Sequence, residues 1–275
     1  MLPFTALWLP DPAREAAFAR RYAERHFQDR DLLFRAIRAC VTPVFLLVRL
    51  WQNGLGADGM QALAVAAVTV AVECAGFGWQ KDKRGVKRTA MAVLTRIVII
   101  VSQVMDAAAM EVVVGNPGSM FRFMLMQSGL VALLISNAGV PLLVKHHLAV
   151  SVTTVVAMAV FAVPNQCAAA FSAPESGPIV LAVWRFINAV FTGGCLENEY
   201  NPPPLDACWS VVSMSLFVLG LLAPSFAMWT VEYEDRVNFT RSGELLTEEN
   251  IRKQMLLFIP VMGVTWLLLN FRVWM

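Results

Sequence analysis

Charge is what this sequence has least of. Only 15% of its residues are Asp, Glu, Lys or Arg, where a water-soluble domain carries about 25%. Too little polar surface remains to cover a water-facing globule, which excludes a soluble domain. Catalytic signatures are missing as well. There is no GxxxxGK[ST] loop for nucleotide phosphates, no GxGxxG opening a helix, no HExxH pair and no GxSxG elbow. None of the five cysteines stand at a CxxC spacing, which argues against structural zinc. Neither enzymatic activity nor a metal or cofactor is therefore expected. A net charge of +2 gives no reason to expect nucleic acid as a partner. Internal repeats, which would point to an inverted-repeat transporter, are also lacking. The opening MLPFTALWLP has neither a basic region nor a small-residue cleavage site, so the first span is expected to act as the targeting signal.

What is abundant is apolar sequence, 57% of the chain, with a mean hydropathy of +0.59. A membrane-crossing helix needs about 20 mostly apolar residues. Seven stretches qualify: 36–52, 60–79, 90–114, 120–144, 148–171, 207–230 and 255–273. The expected fold is all-α, a polytopic transmembrane helix bundle of seven spans, or eight if residues 179–194 also cross. That segment, IVLAVWRFINAVFTGG, would reach only about 24 Å as a helix, short of the hydrocarbon core. It reads as an amphipathic or re-entrant helix with Arg185, Asn188 and Thr192 on one face.

Residues 1–35 read as a basic amphipathic helix and 36–275 as the transmembrane domain. Asp11 and Pro12 suit the N-cap and first helical position, and Phe18, Tyr22 and Leu33 recur on an apolar side. This helix is either solvated or laid on anionic headgroups. Another helix is expected from Thr247, with Glu248 and Glu249 in its first turn.

Basic loops set the orientation. Lys81, Lys83, Arg84, Lys87 and Arg88, like the arginines before residue 36, belong in the cytoplasm. The uncharged turn at 115–119 then lies outside, and Lys145-His146-His147 returns inside, where both histidines read as boundary residues. Arg236, Arg241, Arg252 and Lys253 favour the inside for the 231–254 loop, which leaves the sequon at Asn238 unused. Trp8, Trp51, Trp79, Trp229 and Trp274 fit an aromatic belt.

The candidate site lies among charges inside the spans. Glu73 stands seven residues before Gln80, and Arg96 seven residues after Thr89. On antiparallel helices both sit about 10 Å above the inner boundary, level with each other. Opposite charges at one depth can neutralise each other where either alone would be costly. Asn137 and Thr154 reach a similar depth, and Asp106 lies further out. Glu111 and Arg122 flank the outer turn and read as an interfacial salt bridge. Cys167, Cys195 and Cys208 cluster around one loop, where two of them could form a disulfide in an oxidising compartment.

Two functions fit this pattern within a lipid bilayer. One is transporter- or channel-like handling of an ion or small solute at the Glu73–Arg96 layer. The other is a membrane sensor or scaffold whose cytoplasmic segments bind protein partners. If Glu73 and Arg96 form only a structural pair, Glu73→Gln and Arg96→Gln should each lower the thermal midpoint, and the double variant should regain much of the loss. Thermal unfolding of the three variants in detergent measures this.

Overall fold

The chain folds into helices joined by short breaks, with no strand among the described residues. The structure is a computed structural model that describes residues 4–5, 7–54, 56–79, 86–108, 114–171, 176–192, 202–241 and 246–274. In chain order the helices are α1 (Pro12–His26), α2 (Gln28–Asn53), α3 (Ala57–Trp79) and α4 (Val86–Ala108). They continue with α5 (Pro117–Gln127), α6 (Leu130–Gly139), α7 (Val144–Ala170) and α8 (Gly177–Thr192). The last are α9 (Pro204–Thr240), α10 (Glu248–Leu256) and α11 (Phe258–Trp274). Two starts follow the sequence directly. Asp11 accepts from the Ala13 N–H ahead of Pro12, and Thr247 accepts from the Asn250 N–H ahead of Glu248 and Glu249.

Three helices are long and apolar enough to cross a membrane: α7, α9 and the continuous stretch Glu248–Asn270. A fourth is reached if α5 and α6, bent by 40° at Ser128-Gly129, count as one. Seven such helices are not found among the described residues. The stretches expected as the first three spans are helical, as α2, α3 and α4, but none is among the helices apolar enough to cross. α2 carries Arg30, Asp31, Arg35, Arg38 and Arg49, α4 carries Lys87, Arg88, Arg96 and Asp106, and the described apolar part of α3 is short, Leu63–Val72.

Three turns widen to π geometry, at Phe123–Gln127, Met158–Ala162 and Leu216–Leu222. The second and third stand just before Pro164 and Pro224. Proline offers no N–H and crowds the carbonyl four residues back, and a wider turn relieves both problems. In apolar surroundings the carbonyls of such a turn need other donors. Each turn receives one from a neighbouring helix. Gln166 Nε2 donates to Gln127 O at 2.6 Å, Trp209 Nε1 to Ala159 O at 2.8 Å, and Asn137 Nδ2 to Gly220 O at 3.0 Å. Gly220 also allows α9 to approach α6 closely, since a Cβ there would lie 2.9 Å from Leu133 Cδ1.

The path of the chain follows from contacts at the two ends of the bundle. At one end, Glu15 of α1 pairs with Lys145 at the start of α7 and with Arg236 near the end of α9. At the other end, a disulfide joins Cys167 of α7 to Cys208 of α9, and the Val114 N–H donates to Ala170 O. α7 therefore leaves the α1 end and α9 returns to it. α8 starts beside the start of α9, where a Cβ on Gly177 would lie 3.2 Å from Pro204. It runs antiparallel to α11, with Trp184 Nε1 donating to Asn270 and Trp266 Nε1 donating to Asn188. At 16 residues α8 is apolar but shorter than a crossing helix. Its buried face carries Trp184 and Asn188, while Arg185 is exposed.

Several expectations are corrected. Residues 231–240 are not loop but the last turns of α9, which at 37 residues is about 55 Å long and outreaches a hydrocarbon core of roughly 30 Å. Trp229 is not in a belt. It is buried, stacked on Phe226 and Tyr233, and donates to Thr5 O. Trp8 and Trp51 are exposed, as a belt requires. Cys40 and Cys74 are free and exposed.

Cys167 and Cys208 are both buried, so their bridge links the two longest helices inside the core rather than in a surface loop. Replacing both by serine should lower stability by about 2–4 kcal/mol, given the sizeable loop the bridge closes. The check is the thermal midpoint of the double variant beside that of oxidised wild type.

Candidate functional site

Between α6 and α7 the chain is not helical over Val140–Leu143, and all four residues are buried. Pro141 cannot donate a hydrogen bond, and the carbonyls of the break have lost helical partners in a place where water does not supply them. Charged side chains from α4 and α9 fill these vacancies. Arg96, 1% exposed, donates to Val140 O from Nε at 3.0 Å and from Nη2 at 2.8 Å. Arg88 donates to Pro141 O at 2.8 Å while its Nε and Nη2 grip Asp31 at 2.6 and 2.9 Å. On the far side of the break, Glu232 Oε2 accepts the Val144 N–H at 2.7 Å. The residue before α7 provides no side-chain cap, so this carboxylate from α9 caps the positive helix end.

Arg96 extends the network into the bundle. Its Nη1 lies 2.9 Å from His147 Nδ1, and His147 Nε2 lies 2.9 Å from Ser225 Oγ. Arginine can only donate, so Nδ1 is the acceptor and the imidazole is the Nε2–H tautomer, donating to Ser225. Ser151 Oγ lies further off, 3.4 Å from Arg96 Nη1. The result is a continuous buried track, Arg96–His147–Ser225, joining α4, α7 and α9.

A second cluster seats α1. Glu15 accepts from Lys145 at 2.6 Å, from Arg236 at 2.7 and 3.1 Å, and from the Leu9 N–H at 3.0 Å. Arg236 also grips Glu232 and lies over the Phe18 ring at 4.2 Å. Asp235 pairs with Arg25 and His26. Phe18 and Tyr22 are buried against Leu143 and Phe239. The N-terminal helix is therefore neither freely solvated nor simply laid on headgroups, because one face is docked on the bundle. Leu33, expected on that apolar side, is exposed.

Of the residues expected to form the site, Arg96 is buried at the centre. Asn137 and Thr154 are buried but do not join it: Asn137 serves Gly220 O and Thr154 donates to Val150 O of its own helix. Glu73 and Asp106 lie on α3 and α4, with side chains outside the described residues, and Glu111 also lies outside them. Arg122 is exposed at the outer turn. Of the three loop cysteines, Cys167 and Cys208 are joined and Cys195 lies outside the described residues. His147, expected at the membrane boundary, is fully buried. The signals for it were the Ser151 one helical turn on and the proline six residues before. Glu15, Glu232 and Arg236 were not singled out as a cluster, since nothing local marks three distant charges as neighbours.

A cavity of about 560 Å³ opens between α1, the first turn of α4 and the start of α7. Among the described residues, no three His, Cys, Asp or Glu side chains converge on a metal-sized site. The chain matches no known family model, no curated protein and no solved structure.

Burial pushes the Glu15 carboxyl up, but hydrogen bonds from Arg236, Lys145 and the Leu9 N–H outweigh it and hold the pKa at about 2, against an ordinary 4.5. A depressed carboxylate stabilises the fold fully above pH 4.5, and this contribution is lost as the pH falls towards 2. The difference in thermal midpoint between wild type and Glu15→Gln should therefore be constant above pH 4.5 and shrink below it.

Proposed function

We propose that this is a multi-pass integral membrane protein, seven spans with the N-terminus in the cytoplasm, that handles an ion or small solute in transporter- or channel-like fashion around Arg96, beside the buried turn between α6 and α7. The observation that carries the reading is Arg96. It is fully buried, and each of its described hydrogen bonds goes to a neutral acceptor: Val140 O, His147 or Ser151. A guanidinium buried in an apolar bundle is costly, and charges inside membrane-spanning bundles mark solute and ion pathways. The orientation rests on the basic segments. The bundle is consistent with it, because α1, Lys145 and the end of α9 meet at one end.

A sensor or scaffold role is the second reading. α1 leaves Arg14, Arg20 and Arg21 exposed, with Arg20 at the cavity beneath it and Arg21 over the Phe239 ring, a basic surface suited to acidic partners. Deleting α1 would not test it, since the deletion would strip Lys145 and Arg236 of Glu15. Charge reversal at Arg14 is the cleaner variant.

Thermal unfolding of purified protein across inorganic ions, organic anions and small neutral solutes, followed by flux in proteoliposomes, tests the first reading. A solute that stabilises wild type should fail to stabilise a folded Arg96→Lys variant, which keeps the charge and loses the fork. Flux of that solute should fall at least about tenfold, the usual scale for a misplaced bidentate contact. Identical responses in the two proteins would mean that the track is scaffolding.

A further inference from the structure

We propose that the cavity beneath α1 is a binding site for a phosphate-bearing amphiphile, an anionic phospholipid of the leaflet that faces α1. This site is separate from the Arg96 track and does not depend on solute handling there.

The cavity, about 560 Å³, is lined by three cations, Arg20, Arg88 and Lys145, and by one carboxylate, Glu15. Lys145 and Arg236 share Glu15, Arg236 also serves Glu232, and Arg88 is paired with Asp31, so the positive charge left over at the cavity is that of Arg20. Donors remain available. Arg88 commits Nε and Nη2 to Asp31 and Pro141, and its Nη1 has no partner among the described residues. Arg20 is exposed at the rim and likewise has no described partner. Guanidinium groups present N–H pairs that match phosphate oxygens, and Arg20 and Arg88 each bring one to the cavity lining.

The remaining wall is apolar and low. Ala16, Ala19 and Ala23 of α1 face Ala90 of α4 and Leu143 of the break. Small side chains leave room for carbon beside the cations, which a free inorganic ion would not need. Position supports the same occupant. The cavity lies where α4 and α7 begin, at the level of lipid headgroups for helices that cross a bilayer, and basic pockets between helices at that level take anionic headgroups.

The shared chemistry of a lipid headgroup and a free phosphate requires an experiment that separates them. Thermal unfolding of the full chain in detergent would be followed with dioctanoyl phosphatidic acid, dioctanoyl phosphatidylcholine and inorganic phosphate. Three variants would run beside wild type: Arg20→Glu at the rim, Ala16→Phe, which fills the cavity without touching a charge, and Arg14→Glu on the same helix outside it. Phosphatidic acid should raise the wild-type midpoint saturably, and phosphatidylcholine and inorganic phosphate should not. Arg20→Glu and Ala16→Phe should each need roughly tenfold more phosphatidic acid for the same shift, whereas Arg14→Glu should respond as wild type does. The same shift with inorganic phosphate alone would overturn the lipid as occupant in favour of a free oxyanion. No shift with either, or an equal loss in Arg14→Glu, would overturn the site.

Discussion

The structure depends on one constraint: backbone polar groups inside an apolar bundle must be paired. Val140–Leu143 breaks this rule locally, and much of the charge in the protein is placed to restore it. Arg96 and Arg88 supply donors to the carbonyls of the break, and Glu232 supplies the acceptor at the next helix end. Each of these charges then needs its own surroundings. Arg88 takes Asp31, Glu232 takes Arg236, and Arg236 takes Glu15. The attachment of α1 is thus the outermost link of a chain of requirements that starts at four residues of non-helical backbone.

The same constraint explains the widened turns. Prolines 164 and 224 force space into α7 and α9, and Trp209 and Asn137 answer carbonyls there. Polar residues that look like candidates for chemistry serve the backbone instead. Asn137 is an example: its depth in the sequence suggested a ligand, and its partner is Gly220 O. Buried polar side chains in such a bundle are first of all hydrogen-bond donors to interrupted helices, and only the remainder invite a functional reading.

What could be read from the sequence was governed by period and local caps. Helix positions, the caps at Asp11 and Thr247 and a disulfide among the loop cysteines all follow from short-range pattern. Rotation and long-range pairing do not. The pattern placed Glu15 at the start of a basic helix but could not bring it to residues 145 and 236. It put Trp229 at a span end without showing that α9 continues for ten further residues and buries the indole under Phe4 and Phe226. Reciprocal pairs such as Trp184–Asn270 and Trp266–Asn188 need two helices in register, which no single periodicity encodes.

The two longest helices are fastened differently at their two ends. α7 and α9 share a covalent bond at Cys167–Cys208 and, at the opposite end, non-covalent ties alone: the Lys145–Glu15–Arg236–Glu232 cluster, the Val144 N–H on Glu232, His147 on Ser225, and Val144 packed with Phe226 and Trp229. They form a pair of tongs with a riveted joint and an ionic clasp. Any parting of the two arms must occur at the clasp, where the jaws hold α1, and each arm carries a widened turn along its length at which it can flex. Acid strong enough to protonate Glu15 would loosen the clasp and leave the covalent joint at the far end intact.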